Sequence, residues 1–288
     1  MKGQSKQCGL LWGAWFLFVG LLFLFLLEGT SVRSFIVQHN IALEKTTIVV
    51  HPFLPHISFL DLCGSVLCCA FYRRRQDSRE RWWKVLLSCT MLQFGGTTIT
   101  ALMLGQPPSW LVSQKAFPAL FVAWWITFCC PYDFYWDYVV KHCATLHALF
   151  FGVFASISSG HASTSWGMDK VLFNSFHVNG AALGQSVLLC LVCGTASASG
   201  GGLMDDIFGL SGPPPQHIRT ANISKGLLLA ILYYFLLTCA GFSLDAAKTL
   251  IGMINVFHFS VKLIDPDIDY FTAICDMMRR FCGISPFL

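Results

Sequence analysis

The chain has 288 residues, 55% of them hydrophobic and only 12% charged, with a mean hydropathy of +0.61 and a formal net charge of +4. A soluble domain carries about a quarter of its residues as charges. The composition therefore excludes an ordinary soluble enzyme, gives no reason to expect a nucleic-acid partner, and reads as an all-α multi-pass membrane protein.

Lys2 and Lys6 precede an apolar run over residues 8–27, the arrangement of a signal sequence or signal-anchor helix. Residues 28–48 are more polar and read as loop. Seven further apolar segments follow, near 53–72, 83–105, 116–131, 138–159, 178–200, 224–242 and 247–264, and residues 265–288 read as a mixed tail. The densest positive cluster lies between Arg73 and Lys84. Positive residues in short loops stay on the cytoplasmic side. This predicts a cytoplasmic 73–84 loop, a lumenal Gly105-Gln-Pro-Pro108 turn, and a cytoplasmic 201–223 loop and tail.

Gly95-Gly96 lies near the middle of the second of these segments, and Pro107-Pro108 follows it. Gly201-Gly202 is followed by Pro213-Pro214 at the same separation, an offset of 106 residues. Each glycine costs a helix roughly 1 kcal/mol relative to alanine. The pairs have three readings. They can be surfaces where helix backbones approach closely, kinks that free carbonyls toward a water-filled cavity, or hinges for alternating access in a transporter. The recurrence suits a duplicated half of a membrane protein.

Four stretches resemble the trimeric intracellular cation (TRIC) channels. FGGTTITALMLGQPP (94–108) is similar to the glycine-rich second helix and its Pro-Pro turn, and WWITFCCPYD (124–133) to the end of the third helix. SGGGLMDD (199–206) resembles the glycine-rich end of the fifth, and ISKGLLLAIL (223–232) the sixth, whose lysine falls on Lys225. The resemblance spans about residues 53–264. It implies a seven-helix bundle of two inverted three-helix repeats plus a seventh helix, here with an extra N-terminal apolar helix, assembled as a homotrimer with a pore in each subunit. The basic fourth-helix motif that grips a phosphoinositide in animal members is nearly absent. Aligned from the fifth-helix glycines, only Lys170 remains; aligned from Cys130-Pro131, GVFASISS (152–159) has no basic residue. The resemblance therefore implies little phosphoinositide control.

For pore or gating roles the candidates are Gly95, Gly96, Thr97, Gly201, Gly202 and Lys225. A threonine hydroxyl after the glycines can meet a partly dehydrated ion, although it more commonly bonds its own helix carbonyl. Lys225 either snorkels to the interface or faces water within the subunit. Asp133, Asp205 and Asp206 are candidates for a cation-attracting vestibule; the plainer reading is solvated helix ends. No spacing of His or Cys predicts a metal or cofactor. Cys190-x-x-Cys193 lacks a second pair, and cysteines in apolar runs act as small hydrophobes. The expected protein is a potassium-permeable channel of the endoplasmic reticulum membrane, carrying counter-ion current that balances calcium movement. Its partners would be monovalent cations and membrane lipids. A secondary transporter on the same repeats is the alternative, and a non-conducting scaffold a third reading.

Overall fold

The structure, a computed structural model, describes residues 20, 22, 24–27, 31–49, 56–75, 80–174, 176–178, 181–209, 216–265, 268 and 270–281. It is helical throughout, apart from two hairpins of two-residue strands. Nine helices carry the architecture of these residues: α1 Ser31–Lys45, α2 Phe59–Arg75, α3 Trp82–Met103, α4 Ala116–Phe128, α5 Ala144–His161, α6 Val187–Phe208, α7 Gln216–Thr238, α8 Leu244–Ile264 and α9 Tyr270–Phe281. Among the described residues, α3, Val187–Asp205 of α6, and α8 are long and apolar enough to cross a membrane alone. The pair Ala116–Phe128 and Pro131–Lys141, bent by 79°, has the length and composition of either a broken span or a re-entrant loop. The 17-residue α2, which ends in three arginines, rises about 26 Å at 1.5 Å per residue. It and the remaining helices, among them the 23-residue α7, complete the bundle.

Several expected boundaries move. The region expected as loop holds α1, because Ile36, Val37, Asn40 and Glu44 recur at helical spacing. Ile36 and Val37 pack on the core and Asn40 is buried, donating from Nδ2 to Thr249 Oγ1 of α8 at 3.1 Å. Tertiary packing here outweighs a polar composition. The segment expected from 53 begins as helix only at Phe59, after Ile57–Ser58 has paired antiparallel with Thr47–Ile48. The segment expected over 178–200 runs from Val187 to Phe208: the Ser186 hydroxyl accepts from the Leu189 N–H at its start, and Gly209 ends it at φ 58°. In place of a formless tail, Tyr270–Phe281 is a helix packed on α7, with the Phe271 side chain buried. Pro213-Pro214 and most of the 8–27 run lie outside the described residues. The described end of that run places Phe25 wholly in the core, beneath the Arg33 guanidinium.

Two clamps set the ends of the bundle. At the bend after α4, Tyr132 and Asp133 adopt left-handed backbone (φ 56° and 52°), a region unfavourable to residues with a Cβ. Arg73 holds this turn, donating to the Thr127 carbonyl and, at 2.8 Å, to Asp133, with its guanidinium over Trp136. In the other half, α5 passes through a π-helical stretch, Ala162–Met168, into a last turn, Asp169–Leu172. There Asp169 pairs with Lys248 of α8 at 2.7 Å and accepts from the Tyr233 hydroxyl of α7 at 2.8 Å. Three helices are thereby tied at one nearly buried carboxylate.

Candidate functional site

The core of the site is the contact between α3 and α6. Gly95 lies against Gly200 and Met204, Gly96 against Ala196, Ser197 and Gly200, and Gly201 against Leu92. As the number rises along one helix it falls along the other, so the two helices pack antiparallel. A Cβ on Gly96 would stand 2.5 Å from the Ala196 and Ser197 carbonyl oxygens, and one on Gly201 2.0 Å from the Leu92 oxygen. No side chain fits there. Both helices run unbroken through their glycines. The arrangement is thus the close-approach reading of the glycine pairs and not the kinked one.

Beside this crossing lies a cavity of about 730 Å³, bounded by α2, α3, α5 and α6 and reached at one end by α1. α2 presents Asp61, Gly64, Cys68, Phe71 and Arg75 to it, a single helical stripe. From Asp61 to Arg75 this stripe climbs about 21 Å. Opposite it stand Gln93 and Thr97 of α3, Ser158, Ser159 and Ala162 of α5, and Ser197, Gly201 and Gly202 of α6. The lining is mixed: these hydroxyl, amide and small side chains alternate with Leu60, Leu67, Leu92, Phe94 and Leu203, and charged residues stand toward both ends.

The candidates divide. Thr97, Gly201, Gly202 and Asp205 line the cavity, while Gly95 and Gly96 form the contact behind it. The Thr97 hydroxyl donates to the Phe94 carbonyl at 3.0 Å, so its two oxygen lone pairs are what it can offer the cavity. The threonine bonded across the crossing is Thr100, which donates to the Cys193 carbonyl (3.1 Å) and shares a 2.8 Å bond with Ser197. Lys225 is half-buried on α7, outside the cavity lining. Lys170 sits over the Trp166 ring at 4.8 Å, also outside it.

Asp205 is not a solvated helix end, whereas the Asp133 side chain remains 47% exposed. Asp205 is 4% exposed and stands 3.6 Å from Arg75; Asp133 is held by Arg73. Both charges are matched by arginines of one triplet at the end of α2. The described residues give only the backbone of Asp206. Cys190 and Cys193 are buried in the core among Met168, Leu229 and Tyr233.

Asp61, Gln93, Arg75 and the α5 serines were not singled out from sequence. The available signal was a stripe: Asp61, Gly64, Cys68, Phe71 and Arg75 fall at intervals of three and four, with the acid deep in an apolar run.

The described residues thus form a helical bundle with a cavity beside a glycine-mediated helix crossing. Among solved structures the chain is similar to the trimeric intracellular cation channel of C. elegans. Without Ca2+, that structure matches at a TM-score of 0.55 and 18% identity over 80% of this chain and 96% of that one. With bound Ca2+ the values are 0.59 and 14%, over 81% and 97%. A structure described as a basis for the activity of TRIC counter-ion channels in calcium release matches at 0.59 and 15%, over 79% and 97%. No protein-family model and no curated protein matches the chain. The chain has the TRIC channel fold.

Proposed function

We propose that this protein is a potassium-permeable monovalent cation channel of intracellular membranes. It acts as a homotrimer with one passage per subunit and carries counter-ion current when calcium crosses the endoplasmic reticulum membrane. The observation that carries the reading is the cavity along α2, with charged residues toward both ends and hydroxyl and amide side chains between, flanked by the antiparallel α3–α6 crossing. That crossing is what two inverted repeats, 53–131 and 138–242, would produce where their middle helices meet. The arginine end of the passage is assigned to the cytoplasm by the positive-residue rule.

The α5 wall also bears on regulation. Its cavity-facing residues include Ala155, Ser158, Ser159 and Ala162, and Lys170 lies elsewhere. A multiply charged headgroup needs several cations in fixed geometry, so phosphoinositide dependence is expected to be weak.

Purified protein in a planar bilayer tests the reading. The channel gives discrete, ohmic single-channel steps in potassium chloride. Saturable solute uptake without such steps would instead identify a secondary transporter, and silence in both assays would leave a scaffold.

A further inference from the structure

The fixed charges on the cavity wall are unequal in setting. Glu44, Lys45 and Lys115 lie at one end and are exposed, so solvent and salt screen them. His161 stands 3.6 Å from Glu44 at that same end. At the other end Asp205 and Arg75 face each other. Asp61 belongs to neither group. It lies inward of the exposed rim, one turn before Gly64, where the missing side chain makes room for the Gln93 carboxamide. Its backbone N–H is bonded to the Ser58 hydroxyl at 3.3 Å. Among the described residues no lysine, arginine or histidine nitrogen comes within ion-pair distance of its carboxylate. A carboxylate withdrawn from bulk water and unmatched by a protein cation takes up a proton or, where a cavity admits water and ions, is matched by a mobile cation.

We propose that Asp61 holds the permeating monovalent cation within the passage and sets its preference for cations over anions. This rests on the channel reading above. The carboxylate supplies the charge, and the Gln93 carboxamide and cavity hydroxyls supply neutral oxygens that replace part of the ion's water. Lys45 and Lys115 at the rim oppose entry only weakly because they are hydrated.

Two measurements on the full chain test it. Equilibrium binding of radioactive rubidium ion to purified protein is measured for wild type, Asp61→Asn and Asp61→Glu, each first checked for the same oligomeric size. Wild type and Asp61→Glu bind, and Asp61→Asn loses binding. In bilayers under a potassium chloride gradient, Asp61→Asn lowers the potassium-to-chloride permeability ratio by roughly tenfold, the effect of one unit charge at contact distance after screening. Asp61→Glu retains most of the ratio. Rubidium binding that Asp61→Asn leaves intact, absence of binding in wild type, or an unchanged permeability ratio in Asp61→Asn each overturns the proposal. Binding that depends on Asp61 in a protein that passes no current would sink the channel reading and leave Asp61 as a cation site.

Discussion

Gly96 and Gly200 meet backbone to backbone: a Cβ added to Gly200 would stand 2.2 Å from the Gly96 Cα. The space between α3 and α6 is therefore set by the peptide chain itself, and a side chain on either glycine must push the helices apart.

Gly96→Leu and Gly200→Leu are expected to abolish the folded protein, since the obstructing atoms are backbone and cannot rotate away. Gly252→Ala is the control. Its Cβ would meet nothing within 4 Å, and alanine favours the helix by roughly 0.5–1 kcal/mol. Size-exclusion profiles in detergent should show aggregation for the first two variants and a wild-type peak for the third. A wild-type peak with Gly96→Leu would mean that the crossing is looser than described.

The Arg75–Asp205 pair should behave as a unit. Arg75→Gln or Asp205→Asn alone removes this contact where Asp205 is nearly inaccessible, at an expected loss of about 2–4 kcal/mol. The double variant should lose less than either single one. Thermal unfolding of the four proteins gives the cycle, and additive losses would show that the pair is not coupled.

Glu80 accepts from Lys84 at 2.5 Å and from the Tyr72 hydroxyl of α2 at 2.8 Å. The Lys84 hydrogen bond first, and that from Tyr72 after it, hold the Glu80 carboxyl below its ordinary value. The folded-state value being depressed, the contribution is full above the usual glutamate range and is lost as pH falls through the folded value. The Lys84 side chain is half exposed, so the effect is small, about 0.5 kcal/mol or less. Stability measured from pH 7 down to pH 3 should fall slightly less in Glu80→Gln than in wild type. An identical fall in the two proteins would remove Glu80 from the account.

Lys225 lies outside the cavity lining, so its charge should not set the current. Lys225→Gln is expected to match wild type in unit conductance at low salt, where screening is least. A raised conductance would return this lysine to the pathway.

What the sequence made legible follows from how far each signal reaches along the chain. The paired glycines announced a duplicated feature because both the residue type and the 106-residue offset are visible in one dimension. That Gly96 would pack on Gly200 in an unbroken helix, and not kink it, depends on a partner about a hundred residues away. Asp205 read as a solvated helix end because nothing nearby marks it as buried; its partner Arg75 lies on another helix. α1 was missed for a related reason. Val32-Arg33-Ser34 and Gln38-His39-Asn40 look like loop until α8 supplies a surface for Ile36, Val37 and Asn40. The seven apolar runs were easier to see because hydropathy is a local property, although their ends moved by up to nine residues where Ile57–Ser58 and Ser186 determine the start.

The Asn40–Thr249 hydrogen bond joins residues 209 positions apart. A ribosome adding about 5–20 residues each second needs roughly 10–40 s to make the intervening chain. For that interval α1 has left the ribosome before its seat on α8 exists, and its buried amide must be satisfied by something else. Assembly of this end of the passage is therefore among the last events of synthesis, and a chain stalled before Thr249 would carry every other wall of the cavity with α1 still undocked.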